Sequence, residues 1–405
     1  LTAAQGLAGE RSSGGVALAL AFCFAAAMCE GLDIQAAGVA AAGIKAAFEP
    51  TPAALGLFLA AGNFGLLFGA VAGGRIADRV GRKAVLVAAV GVFGLCSALT
   101  ALAWDMPSLI AIRVLTGLGL GGAMPNLIAL AADVSPERSR NSAIALTYIG
   151  MPLGGAVASS IIFVAASTQW RSVFLLGAVA PLVIAPLMVW LLPGDRPAAA
   201  SQVRTADPRV GFRAIFADGR LPRTLLLWLA FLLSNLTLHL MLSWLPLLLQ
   251  GRGLLRSDAA LAQIGFNAGG AAAALLAGMV LDTRWRRASI GLSVAALPLA
   301  LFLLANAPAA AAQMFALAVL LGAAILAASV ILYGMAGGFY PPQARGAGVG
   351  SAIGVGRLGS LAGPAFAALL LAAGRPPQQI LTSVLPIVVA CGLCIILLTW
   401  RKPTA

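Results

Sequence analysis

Twelve long, uninterrupted apolar stretches constrain this chain more than any other feature. A run of about 20 apolar residues spans a bilayer as an α-helix, because no water is present there to satisfy an open backbone. The stretches lie at 16–44, 53–77, 84–104, 107–132, 141–166, 170–192, 224–250, 258–281, 288–306, 308–339, 346–374 and 376–400. They are continuous, whereas the strands of a membrane barrel alternate lipid-facing and lumen-facing residues, so a closed β-barrel is not expected. The expected fold class is therefore an all-α membrane protein with twelve transmembrane helices in two six-helix halves. Pro125, Pro152, Pro246 and Pro364 fall inside spans and are read as kinks. Residues 11–29 imitate a secretory signal, but their apolar run continues past Glu30 and Asp33, so they are read as part of the first span.

Composition narrows the function classes. Hydrophobic residues make up 61% of the 405 and charged residues 10%, against roughly 45–50% and 25% in soluble domains. That excludes an ordinary soluble enzyme, a disordered chain and a nucleic-acid-binding module. The net charge of +13 is spread in short bursts between apolar runs. One His and five Cys leave little for a metal or redox centre, and no cofactor is expected. Cys391 and Cys394 fall within a span, without the exposed electropositive setting that activates a thiol. No phosphate-binding loop is present, and the GLGLGG run of the fourth span follows no strand.

Those bursts of charge report orientation. Nineteen Lys and Arg fall on the side that holds both termini, five on the opposite side, and two, Arg113 and Arg357, inside spans. The positive-inside rule then places both termini in the cytoplasm. The longest connection, 194–222, separates an N-terminal half (1–193) from a C-terminal half (223–405). Its FRAIF stretch reads either as a short surface helix with Phe212, Ile215 and Phe216 on lipid, or as plain solvated linker. The halves repeat one another weakly. Gly74-x-x-x-Asp78-Arg79-x-Gly81-Arg82-Lys83 follows the second span, and Gly278-x-x-x-Asp282-x-Arg284-x-Arg286-Arg287 follows the eighth. Internal duplication of this kind suits a transporter with its site between the halves.

The loop GGRIADRVGRK resembles the signature that the major facilitator superfamily carries between its second and third helices. A narrower resemblance, to the aromatic acid:proton symporter family, runs through four stretches. These are CEGLDIQAAGVAAAGI, RVLTGLGLGGAMPNLIAL with AADVSPERSR, SWLPLLL, and YPPQARGAGVGSAIGVGRLGSLAGP. The wording EGLD and QAAG is most similar to that family's 3-(3-hydroxyphenyl)propionate transporters. Glu30 stands where most members carry Asp, and Asp133 where Glu is common. The resemblance implies a proton-coupled importer of a small aromatic carboxylate, working by alternating access in a bacterial inner membrane; a monomer is expected because one chain contains both halves. It also implies gating roles for Asp78, Arg79, Arg82, Asp133, Asp282 and Arg345, with Asp78 pairing to an Arg across the seam between halves. The bland alternative is a basic loop that merely obeys topology.

The residues support a similar reading on their own. Charged side chains at membrane depth are costly and rare, and here they are Glu30, Asp33, Arg113 and Arg357. Glu30 and Asp33 are three apart and share one helix face. Two carboxylates so close in a low dielectric cannot both ionise easily, so one is expected to carry a proton. Asp33 is the first candidate for proton coupling and Glu30 the second. Arg113 lies about 9 Å from the far end of its span and Asp33 about 16 Å from the far end of its own, a gap an Arg side chain can bridge. Arg113 therefore either holds Asp33 ionised or closes the far seam. Arg357, near mid-membrane, is a candidate partner for the substrate carboxylate, since Arg binds carboxylates in a fork; the alternative is a structural guanidinium. For the ring and its hydroxyl the candidates are Gln35, Asn126, Tyr148, Asn235, His239 and Tyr333. Phe231 and Trp244 read as lipid-facing or packing residues. A drug:proton antiporter of the same fold is the runner-up, but Gly150-Met-Pro152-Leu-Gly154-Gly155 matches the antiporter element only in part. A membrane sensor or enzyme is disfavoured, because no soluble domain or His/Cys/carboxylate cluster is evident.

Overall fold

The computed structural model describes residues 13–136, 139–165, 169–192, 214–217, 219–280, 284, 286–336, 338–340 and 342–400. The described residues form helices α1 (Ser13–Phe48), α2 (Pro52–Val80), α3 (Arg82–Ala101), α4 (Met106–Val134), α5 (Arg140–Ala165) and α6 (Arg171–Leu191). There follow α7 (Leu221–Gln250), α8 (Arg256–Val280), α9 (Arg286–Asn306), α10 (Ala311–Ala336), α11 (Pro342–Ala372), α12 (Pro377–Ser383) and α13 (Leu385–Trp400). Twelve spans are long and apolar enough to cross a membrane, the last built from α12 and α13 together. The expected twelfth helix is broken because Pro386 has no N–H to donate to the Thr382 carbonyl. Val384 instead makes a tight bond to the Leu381 carbonyl at 3.2 Å. At the start of α4, Asp105 and Ser108 form a capping box. The Ser108 hydrogen bonds hold the Asp105 carboxyl below its ordinary value.

The repeat read in sequence reappears as repeated packing. α1 packs on α5 and α2 on α4; in the second half α7 packs on α11 and α8 on α10. Backbones touch at matching places. A Cβ on Gly117 of α4 would lie 2.0 Å from the Gly62 carbonyl oxygen of α2, and one on Gly322 of α10 would lie 1.9 Å from the Phe266 oxygen of α8. Small residues at such crossings let helices approach in lipid, where dispersion and not water drives association. Each half also caps the end of its third helix with an arginine. Arg171 Nε donates to the Ala101 carbonyl at 2.9 Å, and Arg252 donates to the carbonyls of Leu304 and Ala307.

The face where α1 begins is the proximal face, and the opposite one the distal face. The halves meet near the distal face. α1 packs on α7, α2 on α11 and α5 on α8. Asn63 Nδ2 donates to the Ser360 carbonyl at 3.1 Å, and the α1 backbone at Gly38 lies against the carbonyls of Leu242 and Ser243. Toward the proximal face, Arg82 pairs with Asp133 inside the first half, and Tyr340 bonds Thr224 inside the second at 3.2 Å. Ile215, on lipid in one reading of the linker and solvated in the other, is buried within the protein and accepts from Thr224 Oγ1 through its carbonyl at 2.7 Å. Phe216 packs edge-on against Trp228 at 5.6 Å. Phe212 and the stretch 193–213 lie outside the described residues.

Candidate functional site

α1 carries the acidic residues into the middle of the molecule. Glu30 and Asp33 are each 1% exposed. Asp33 Oδ2 accepts a hydrogen bond from Arg113 Nη1 at 2.7 Å, and Arg113 Nη2 donates to the backbone carbonyl of Asp33 at 3.1 Å. Arg113 is itself 2% exposed. The α2 backbone passes close to it at Gly62, and its guanidinium sits 5.6 Å from the centre of the Phe174 ring. A buried ion pair of this kind is sustained only by close geometry, because both charges have lost their water. The structure thus joins Arg113 to Asp33. Glu30 differs: its Oε2 is buried with no hydrogen-bond partner among the described residues.

Arg357 on α11 is the counterpart of Arg113 in charge but not in setting. It is only partly buried, and its guanidinium makes no hydrogen bond or ion pair to a described residue. Glu30, Tyr148, His239 and Tyr333 all lie within its Coulombic reach. Groups on α1, α5, α7 and α10, from both halves, thus interact electrostatically with one guanidinium on α11.

The remaining sequence candidates divide by what they touch. Gln35 exchanges two amide hydrogen bonds with Asn267 of α8, at 2.9 and 2.8 Å, and accepts a third from Gln263 at 3.0 Å. It ties the halves together. A Cβ on Gly155 of α5 would lie 1.8 Å from Gln35 Nε2, so that glycine opens the path by which Gln35 reaches α8. Asn126 donates to the Gly122 carbonyl one turn back, at 2.8 Å, and Asn235 to that of Phe231 at 3.0 Å. His239 Nδ1 lies 3.1 Å from the Asn235 carbonyl. Tyr148 and Tyr333 keep 43% and 42% of their surface accessible. Phe231 and Trp244 are buried, not lipid-facing; Trp244 Nε1 donates to the Pro364 carbonyl at 3.1 Å. Among the gating candidates, Arg82 pairs with Asp133, and Arg79 and Arg345 are exposed near the proximal face. The Asp78 side chain and Asp282 lie outside the described residues.

Sequence reasoning missed Gln263, Asn267 and Asn63. A signal existed, since polar amides four residues apart in an apolar span commonly bridge helices.

Residues 23–312 match the sequence pattern described as Major Facilitator Superfamily. The chain is 38% identical to the "3-(3-hydroxy-phenyl)propionate transporter" of Escherichia coli strain K12, over 96% of each. It is 33% identical to the 4-hydroxybenzoate transporter of Pseudomonas aeruginosa, covering 91% of this chain and 89% of that one. Among solved structures it resembles a bacterial homologue of the human lysosomal transporter Spinster, in an inward-facing and occupied conformation. The TM-score is 0.78 at 17% identity, over 95% of this chain and 96% of the other.

Proposed function

Because this chain belongs to the Major Facilitator Superfamily, we propose that it is a proton-coupled symporter that imports a small aromatic carboxylate by alternating access. Arg357 carries this reading. It is a partly buried guanidinium in a membrane span, with no hydrogen bond or ion pair among the described residues, and it interacts electrostatically with Glu30, whose Oε2 has no hydrogen-bond partner among them. A carboxylate ligand supplies the missing counter-charge in the fork geometry that Arg favours. The names of the relatives support an aromatic acid as that ligand.

Charge balance supplies the coupling. The cavity region holds two acids and two arginines. With both acids ionised it is neutral, and a bound carboxylate adds one negative charge. One proton on Glu30 or Asp33 restores neutrality, which a low-dielectric site favours strongly. Glu30 interacts electrostatically with Arg357 and takes the proton that accompanies substrate. Asp33 couples that proton to movement when Glu30 passes it on: Glu30 returns to the carboxylate, Asp33 becomes neutral, and Arg113 is left as a buried, unpaired charge, so the pair rearranges. The contacts of Gln35 with Asn267 and of Asn63 with Ser360 then hold the distal side of the seam closed.

We place the halves at 1–193 and 223–405, joined by 194–222, in a bacterial inner membrane with both termini cytoplasmic; the 19-to-5 distribution of Lys and Arg supports that orientation. The proximal face is then the cytoplasmic one. A monomer suffices, since one chain supplies both halves. The Arg82–Asp133 pair, with Asp78, Arg79, Asp282 and Arg345, is read as gating machinery at that face. The antiporter reading is not favoured, because an unpaired arginine repels cationic drugs. Uptake of radiolabelled 3-(3-hydroxyphenyl)propionate by proteoliposomes tests the proposal: wild-type protein transports it, and Arg357→Gln protein does not.

A further inference from the structure

Transport of an aromatic acid requires more than a carboxylate partner, because the ring and its hydroxyl must also be recognised. The chain has three tyrosines. Tyr340 is buried and its hydroxyl donates to Thr224. Tyr148 and Tyr333 belong to spans, yet each keeps about two-fifths of its surface open, 43% and 42%. Their surroundings are not lipid alone: the two phenols lie within Coulombic reach of each other and of Arg357, and Tyr148 also of Glu30. They come from opposite halves, Tyr148 from α5 and Tyr333 from α10.

Two further observations shape the space between them. Phe231 meets Tyr333 edge-on, with ring centres 5.1 Å apart and planes 89° apart, which fixes the tilt of the Tyr333 ring. On α11, Gly346, Gly350 and Gly354 share a face with Arg357, and a Cβ at any of the three would meet nothing within 4 Å. The opposite face of α11 is occupied, with Gly359 against the Leu232 carbonyl of α7. That face of α11, up to the level of Arg357, is therefore free of close protein contacts at these glycines. Of the other polar candidates, Gln35 is engaged with α8, Asn126 and Asn235 donate to their own helices, and His239 Nδ1 lies 3.1 Å from the Asn235 carbonyl of its own helix.

We infer that Tyr148 and Tyr333 form the ring slot of the transport site, one wall from each half, and that their hydroxyls read the hydroxyl of the bound phenolic acid. This rests on the transport function proposed above. An aromatic ring prefers offset or edge-on contact with the faces of other rings. A site that hydrogen-bonds a substrate hydroxyl rejects the analogue lacking it, because its own polar groups are then left unpaired. The slot also explains why substrate joins the two halves: the carboxylate is held by the second half, and the ring by both.

The test compares uptake of 3-(3-hydroxyphenyl)propionate and 3-phenylpropionate, the same acid without its hydroxyl, in wild type, Tyr148→Phe and Tyr333→Phe. Phenylalanine keeps the ring and the packing. Each variant is expected to lose about tenfold in preference for the hydroxylated acid over 3-phenylpropionate, the worth of one hydrogen bond. Tyr148→Ala and Tyr333→Ala are expected to weaken uptake of both acids. Phenylalanine variants that keep the wild-type ratio, alongside normal wild-type transport, overturn the slot and leave the transport function standing. Wild-type protein that moves neither acid overturns both.

Discussion

Arg113 and Asp33 bring opposite charges to a depth where neither is stable alone. Removing one partner of such a pair is far costlier than removing both. Arg113→Gln leaves Asp33 buried without its counter-charge and is expected to destabilise the protein by about 3–5 kcal/mol. The double variant Asp33→Asn/Arg113→Gln is expected to regain most of that, as read by thermal unfolding in detergent, and still to fail at gradient-driven accumulation. Glu30→Gln carries no such penalty, because Glu30 Oε2 has no partner to lose. It is expected to preserve exchange of labelled for unlabelled substrate while its accumulation ratio under a proton gradient falls to one. Much of this was legible at the level of residues, since charges are so rare in these spans that each one announces itself. What each charge touches was not. The i,i+3 spacing placed Glu30 and Asp33 on one face of a helix, but nothing in a single sequence says that Asp33 pairs with Arg113 while Glu30 Oε2 is left without a hydrogen-bond partner among the described residues.

At the scale of elements, spans were legible because apolar length alone defines them, and their breaks were not. Pro125, Pro152, Pro246 and Pro364 sit inside continuous helices, where neighbouring groups compensate the lost bond. Pro386 lies next to a tight turn at Val384 and splits the twelfth span. The contact between α1 and α8 was also hidden, since it depends on an absent side chain. Gln35 reaches Asn267 only because residue 155 has no Cβ. Gly155→Ala is expected to displace the Gln35 amide, loosen the distal seam and shift the protein toward a distal-open state. Spin labels at Ala47→Cys and Ala373→Cys, exposed at the distal ends of α1 and α11, check this. The distance between them is expected to lengthen in the Gly155→Ala background, and an unchanged distance distribution removes the seam role of Gln35. The five native cysteines are buried and do not compete for label.

At the scale of the whole molecule, the duplicated loops foreshadowed duplicated packing, and the matching crossings of α2 with α4 and α8 with α10 supply its physical form. Two similar halves meeting at one face form a structure that can rock about a central site. The charge count of that site sets what drives it. One proton per carboxylate leaves the loaded carrier no more charged than the empty one. Transport is then expected to respond to a pH gradient and not to voltage: an electrogenic step would gain about 2.3 kcal/mol per charge from 100 mV. Imposing a potassium diffusion potential at equal pH on both sides is expected to leave the accumulation ratio unchanged.

Proton coupling through the first helix is the centre of this account, and proteoliposomes with an imposed inward proton gradient test it most directly. One pH unit is worth a factor of about ten in concentration for a single coupled proton. Wild-type protein is expected to accumulate 3-(3-hydroxyphenyl)propionate toward that ratio, and the Asp33→Asn/Arg113→Gln protein, which leaves no stranded charge, is expected not to accumulate it. Accumulation by the Asp33→Asn/Arg113→Gln protein to the wild-type level, or wild-type uptake indifferent to the gradient, would contradict the account.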